Sequence, residues 1–402
     1  MITAINQLCY SKINTPPKKN TPSFKGFSST LSKDVFEIAG SQTKAKIFTN
    51  NVNYQTLEQI KSICSHPVFK DLPVRIMPDT HAGKTSVVGF TSPIGANGEV
   101  IPSLISGDIG CGMLCVKIDT NNEEIDFAKL DDIIKNSLSI NRDKKPDSYK
   151  RNAKEIEAQI EKVCKGYQSS GADSMMSLGT LGSGNHFIEV NQDNEGNKYL
   201  VVHSGSRSFG KEVYGYHQDI AEKQNPYRVK TWSYLTGDEA KKYLEDMRIA
   251  TKFSEINRRI IADEIIKKMG WKDLDSFESI HNYISKDGII RKGAISANEG
   301  EKVLIPLNMR DGSIIATGKG NADWNNSAPH GAGRQFKRSE ANELITIEDF
   351  KESMEGIYSS CITQSKISES PLAYKDSNEI IDNINETVKI DKIIKPLYNY
   401  KD

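Results

Sequence analysis

Regular apolar spacing begins at Val35. Upstream, residues 1–34 are polar and proline-bearing, with Pro16, Pro17, Lys18, Lys19 and Pro22 followed by Ser28-Ser29-Thr30, a composition that predicts a partly disordered extension. Downstream, Leu57, Ile60 and Cys64 recur at helical spacing in YQTLEQIKSIC. Short apolar runs at Leu72 to Met77, Ile101 to Ile105, CGMLCVKI, Phe187 to Val190 and Tyr199 to Val202 read as strands. Charged helical segments are expected over Glu123 to Ser139 and Asn152 to Tyr167, and over most of Lys211 to Met269, where Leu244, Met247, Phe253, Ile256, Ile260 and Ile265 keep a helical period. Ser279 to Ile284 is strand-like, two short strands flank Asn308 to Gly312, and helical patterns return near Ile347 to Tyr358 and Asp376 to Val388. The expected architecture is mixed α+β, one domain over residues 35–402 with short-strand sheets carrying the site and helices packed outside.

Composition narrows the partners. The 402 residues carry 53 basic and 53 acidic side chains, so a polyanion must be met by a local patch and not by a global field. One such patch is the linker Asn141 to Pro146 with Lys150 and Arg151, which reads either as a nucleic-acid contact or as a solvated connection. There is no apolar run of about eighteen residues and no secretory leader pattern at the N-terminus, so a cytoplasmic protein without a membrane segment is expected. The six cysteines show no C-x-x-C pair and no disulfide-framework spacing, which fits a reducing compartment.

The chemistry lies in short glycine-flanked segments. In Ser327 to Arg334 (SAPHGAGR), His330 stands between Pro329 and two glycines, a bare surround that lets an imidazole meet a ligand closely, and Arg334 offers a planar fork for phosphate oxygens. In GDIGCGM, Asp108 and Cys111 lie three apart among glycines, so a curled backbone can bring a carboxylate and a thiolate onto one cation. Cys115 reads as a small core residue. His186 closes the glycine-rich SLGTLGSGNH, His203 ends the next strand before Ser204 to Arg207, and His281 sits in the strand-like IHNY. Asp79 and His81 alternate after the first long strand; the GKT that follows is no P-loop, because Pro78 stands where that motif needs glycine. One carboxylate, one thiolate and three imidazoles exceed what a single tetrahedral ion requires, and a bridging thiolate would serve two ions. Ligand softness alone ranks zinc first, with manganese, cobalt or iron behind.

Together MPDTHAG, GDIGCGM, GTLGSGNHFIEV, VVHSGSR, IHNY, IRKGAIS and SAPHGAGR, in this order, resemble the RtcB family of RNA-splicing ligases. The resemblance implies an RtcB-like domain that binds two manganese ions through Asp108, Cys111, His186, His203 and His281, with the cysteine shared. It implies that His330 attacks the α-phosphate of GTP and carries GMP covalently. The enzyme would then join an RNA 3′-phosphate, or a 2′,3′-cyclic phosphate after opening, to a 5′-hydroxyl through an RNA(3′)pp(5′)G end. Arg207, Lys292 and Arg334 are expected phosphate clamps. Asn185, Glu189, Asn308, Ser313 and Lys401 are expected GTP contacts, with Glu189 accepting from guanine N1 and N2. Asp79 and His81 take supporting positions.

The chain departs from the family pattern at Pro306-Leu307-Asn308-Met309-Arg310, where Pro-Gly-Ser-Met-Gly is usual, and at Thr85 and Ser183, which replace common glycines. Two other functions remain compatible with parts of the pattern. A binuclear phosphoesterase would use the five metal ligands without needing His330, and a drifted RNA-binding relative would use neither.

Overall fold

The computed structural model describes residues 28–32, 35–138, 145, 148–149 and 153–401. Most of the polar extension and of the basic linker therefore lies outside the described residues. Within the former, Ser28–Ser32 forms a strand, β1. The remaining strands are β2 (Val35–Ala39), β3 (Lys44–Ile47), β4 (Val74–His81), β5 (Val88–Pro93), β6 (Gly112–Asp119), β7 (Phe187–Gln192), β8 (Lys198–Ser204), β9 (Lys272–Ile280), β10 (Asn282–Ile284), β11 (Ile289–Lys292), β12 (Ala294–Ser296), β13 (Lys302–Asn308), β14 (Gly312–Gly318), β15 (Ser327–Pro329) and β16 (Val388–Tyr400). The α-helices are α1 (Tyr54–Ile63), α2 (Pro102–Ile105), α3 (Phe127–Ser137), α4 (Lys154–Gly166), α5 (Ala172–Ser177), α6 (Arg207–Gln224), α7 (Gly237–Met269), α8 (Arg338–Leu344), α9 (Ile347–Ser353) and α10 (Ser377–Asn383). No helix among the described residues is long and apolar enough to cross a membrane.

The strands form two seven-stranded sheets and one two-stranded ladder among the described residues. The first sheet runs β1-β2-β3-β4-β5-β11-β10 and the second β13-β14-β16-β7-β8-β6-β9; β12 pairs with β15. The β3–β4 pair is parallel and the other named pairs are antiparallel. In the second sheet the edge strands approach each other, and the Leu304 N–H donates to Ser279 Oγ at 2.9 Å. Its residues alternate as a pleated strand requires. Leu114 and Val116 of β6 pack outward with Ile261 and Ile265 of α7. Met113 and Cys115 face inward with Phe187, Val201, Leu304 and Ile394, which gives Cys115 its core place. The preceding turns of α7 supply Phe253 and Ile260 to the other large core, under the first sheet, with Ile76, Phe90 and Phe209. At about 1.5 Å per residue, the 33 residues of α7 reach about 50 Å and serve both layers.

Two sequence expectations need correction and a third gains detail. Ile101 to Ile105 is helical from Pro102, whose fixed φ suits a first helical turn, and all four helix residues are buried, where a short apolar run does not distinguish helix from strand. Lys211 to Met269 is mostly helical as expected, in two helices separated around Pro226. Helical pattern ends at Asn383, and the thirteen residues of β16 then run through the middle of the second sheet, unanticipated because Lys389, Asp391, Lys392 and Lys395 dilute the alternation.

Candidate metal and nucleotide site

Strand register brings the cation ligands together. Gly112 at the start of β6 lies opposite Ser204 at the end of β8 and opposite Ile280 at the end of β9. Cys111, His203 and His281, each next to one of these, therefore meet at one end of the sheet. Phe187 pairs with His203, which adds His186 from the start of β7. His281 occupies the single residue between β9 and β10, where the chain passes from one sheet to the other, and its N–H donates to the Cys111 carbonyl at 2.9 Å. The loop before Cys111 needs its glycine: Gly110 has φ +67°, and a Cβ there would stand 2.8 Å from the Thr251 Cα.

Two triads result, Asp108–Cys111–His186 and Cys111–His203–His281, with the donor atoms of each within 4.8 Å of one another and Cys111 common to both. Cys111 Sγ is 3.4 Å from His186 Nε2 and 3.3 Å from His203 Nε2. The other ring nitrogens explain this orientation: His186 Nδ1 donates to the Leu181 carbonyl at 3.0 Å and His203 Nδ1 to the Asn185 carbonyl at 3.1 Å, which leaves both Nε2 lone pairs facing the thiol. Burial holds the His186 imidazole down to about 4 and pushes His203 and His281 well below the usual range, so all three rings are neutral. Burial and the adjacent Asp108 raise the Cys111 thiol, a shift that a bound cation reverses. His281 Nδ1 is buried without a hydrogen-bond partner. A thiol, neutral imidazoles, a carboxylate and one orphaned ring nitrogen fit a pair of divalent cations.

Supports for this cluster come from α7 and β10. Arg258, fully buried, donates through Nη1 to the carbonyls of Gly110 (2.9 Å) and Ser204 (2.7 Å) and pairs through Nη2 with Glu278 at 2.7 Å. Asn257 accepts from the Gly179 and Thr180 amides and donates to Ser204 Oγ. Asn282 Nδ2 donates to Asp108 Oδ2 at 3.1 Å.

Beside the triads stands His330, on the turn after β15, its ring centroid 4.8 Å from that of His281. Its Nδ1 lies 2.6 Å from Asp79 Oδ2, and its backbone N–H donates to the same oxygen at 3.2 Å. An ionised carboxylate only accepts, so Nδ1 carries the proton and Nε2 presents a lone pair. Gly333 permits the approach: at φ +76°, a Cβ there would stand 2.2 Å from the Asp79 carbonyl oxygen. This glycine thus serves the Asp79 contact, where sequence reasoning had assigned it to ligand access. His81, pushed to about 4 by burial, leans on the Asp79 carbonyl at 3.1 Å.

A cavity of about 200 Å³ opens on these groups. Its lining includes Asp108, His203, His281, Lys292 and His330, and also Asn185, Glu189, Asn308, Arg334, Tyr374 and Lys401. Lys292 Nζ donates to the Ile105 carbonyl at 3.0 Å. Burial raises the Glu189 carboxyl to about 7 against the opposing charge of Lys401, and Asn399 and Asn191 amides donate to it. Asn308 is occupied internally: its Oδ1 accepts from the Arg310 and Asp311 amides and its Nδ2 donates to Asp311 Oδ2 at 2.8 Å. Two expected contacts lie outside the lining. Ser313 is fully buried in β14, and Arg207, at φ +56°, covers Gly182 and donates from Nε to Thr180 Oγ1 at 3.3 Å.

Sequence reasoning missed Glu369, a carboxylate 2% exposed that pairs with Arg334, Arg338 and Lys401 and accepts from the Tyr374 hydroxyl. Burial opposes its charge, but the three cations hold it down to about 2. Apart from Tyr374 nothing within SESPLAYK marks it, since its cationic partners come from two distant segments, Arg334 with Arg338 and Lys401.

A family model described as tRNA-splicing ligase RtcB matches residues 59–175 and 149–402. The RNA-splicing ligase RtcB of Escherichia coli K12 is 29% identical over 366 residues, covering 80% of this chain and 88% of that one. The tRNA-splicing ligase RtcB of Methanococcus maripaludis is 26% identical over 440 residues, covering 87% and 92%. That of Aeropyrum pernix is 28% identical over 402 residues, covering 76% and 82%.

Proposed function

The chain belongs to the RtcB family, and from that premise we propose that it is an RNA ligase joining a 3′-phosphate, or a 2′,3′-cyclic phosphate opened beforehand, to a 5′-hydroxyl at the expense of GTP. The observation that carries this reading is a histidine with its tautomer fixed by Asp79, set against two donor triads that share Cys111. Metal hydrolysis can proceed on the triads without a nucleophilic side chain, whereas a neutral imidazole with its Nε2 lone pair free is placed to attack phosphorus itself.

In the proposed sequence His330 Nε2 attacks the α-phosphorus of GTP, the bond to the pyrophosphate oxygen breaks and pyrophosphate leaves. Asp79 keeps the proton on Nδ1 and stabilises the positive ring that forms. An oxygen of the RNA 3′-phosphate then displaces the histidine nitrogen, giving RNA(3′)pp(5′)G. The 5′-hydroxyl oxygen attacks the RNA 3′-phosphorus, its proton passes to solvent, and GMP leaves as the phosphodiester forms. Manganese held by Asp108, Cys111 and His186 and by Cys111, His203 and His281 would neutralise phosphate charge and fix the in-line geometry. Lys292 and Arg334 line the path for phosphate oxygens, with Asn185 as a neutral donor, while Arg207 stays outside the lining and acts through the Thr180–Gly182 loop it covers. Glu189 and Lys401 meet the guanine edge. Asn308 shapes the lining through its turn, because its own side chain is engaged, and Ser313 supports the strand behind it.

Incubation with α-labelled GTP and manganese should give an acid-labile adduct that His330→Ala abolishes. Absence of an adduct in the wild-type protein, or its survival in that variant, removes the mechanism.

A further inference from the structure

The buried carboxylate of Glu369 stands behind the cavity-lining residues Arg334, Tyr374 and Lys401, outside every motif that pointed to the chemistry. Its Oε2 accepts from the Tyr374 hydroxyl at 2.7 Å and lies 3.2 Å from Lys401 Nζ; Oε1 lies 2.9 Å from Arg338 Nη1 and also meets Arg334 Nη2. Three cations around one anion leave this wall net positive.

For Lys401 the contact sets direction. Its ammonium ends a flexible four-carbon stem, and beyond the charge of Glu189 its other neighbours are the ring faces of Phe187 at 5.6 Å and Tyr374 at 5.9 Å. Ring faces attract a cation without choosing where its N–H bonds point. Glu369 takes one of the three donors, which fixes the axis of the group and turns the remaining two away from the carboxylate. The chemistry of purines then gives that axis a meaning. N7 accepts in guanine and adenine alike, whereas position 6 is a carbonyl acceptor in guanine and an amine donor in adenine. A donor-only ammonium held in line with position 6 binds the first and repels the second.

We infer that Glu369 is the positioning residue for purine selectivity, acting through Lys401. The inference rests on the guanosine reading of the cavity given above. It assigns the 6-position to the Glu369–Lys401 pair and leaves N1 and the 2-amino group to Glu189, so a change in the 6-position contact leaves the 2-amino contact in place.

Nucleotide affinities measured by calorimetry on the full chain with manganese, in a His330→Ala background that prevents turnover, separate them. Inosine triphosphate keeps the 6-carbonyl and the N1 hydrogen and lacks the 2-amino group, so the GTP-to-ITP ratio reads position 2, and the ITP-to-ATP ratio reads position 6 together with N1, of which only the position-6 part moves when Glu369 is changed. Glu369→Gln should lower ITP-over-ATP selectivity roughly ten- to a hundredfold, the range for a charged hydrogen bond that loses its geometry, and leave GTP-over-ITP unchanged. Lys401→Met should do the same, and the double variant should be no worse than Lys401→Met alone. Glu369→Asp, which retracts the carboxylate by one methylene, shifts the same ratio in the same direction and serves if the glutamine variant does not fold. An unchanged ITP-to-ATP ratio in the Glu369 variants, an equal fall in both ratios, or a wild-type pocket that binds ITP and ATP alike overturns the inference. Failure of wild-type protein to form a GTP adduct would remove the ligase mechanism and leave this binding test intact.

Discussion

Glu189 shows how one buried side chain ties recognition to pH. Burial moves its carboxyl from an ordinary 4.5 to about 7. Guanine N1 and N2 are donors, so the ionised form binds and the protonated form presents a competing hydrogen. GTP affinity should therefore rise with pH up to about 7 and flatten above it. Glu189→Gln should be weaker and lose that rise, and the comparison at fixed manganese removes the contribution of the metal ligands; a wild-type profile no different from that of the variant would sink the assignment. The sign for folding is opposite. Because the folded-state value is raised, the neutral form favours the native state, and this group costs stability progressively as pH increases from 4.5 to about 7 and no further beyond. In the proposed reading, function at neutral pH would draw on a carboxylate that burial alone would keep protonated, with Lys401 as the charge that favours ionisation.

At the scale of elements, α7 is the scaffold from which the metal loops hang. Ser254, Asn257 and Arg258 lie on one face of it and bond to the Ile109 carbonyl, to the Gly179 and Thr180 amides, and to the carbonyls of Gly110 and Ser204. Arg258→Met would leave two buried carbonyls and Glu278 without their donor, a loss of about 3–5 kcal/mol by analogy with broken buried pairs. It should lower the melting temperature and weaken manganese binding in whatever fraction folds. Arg258→Lys should recover only part, since a point charge cannot reach three acceptors as a planar fork does. Wild-type manganese affinity in folded Arg258→Met would refute the role. None of this was legible beforehand, because Asn257 and Arg258 sit in an ordinary amphipathic helix and most of their partners are backbone atoms. The candidate ligands His186 and His203 and the candidate nucleophile His330 stood out in the sequence, because the small residues around them are hard to reconcile with core packing. His281 lacks that surround, and it was named through the resemblance of IHNY. Glu369 depends on three distant cations, and β16 on strand neighbours that no local pattern specifies.

At the scale of the whole molecule, the site sits on the seam between the two seven-stranded sheets. Cys111 precedes β6 and His203 ends β8 of the second sheet, while His281 leads into β10 of the first. His330 hangs from β15 and bonds to Asp79 in β4 of the first sheet. Cations bound to both triads would therefore cross-link the layers, and their binding energy would appear as global stability. A ligand at about 100 times its Kd contributes about 2.7 kcal/mol per independent site. The shared thiolate makes the sites unequal in what their loss removes. His281→Ala deletes a ligand of one triad only, whereas Cys111→Ala deletes a ligand of both. Metal titration should therefore give two manganese ions for the wild type, one for His281→Ala and none for Cys111→Ala. The rise in melting temperature on adding manganese should follow the same order, falling by about half and then vanishing. Retention of two ions by Cys111→Ala would show that the triads are separate sites and that the thiolate does not join the sheets.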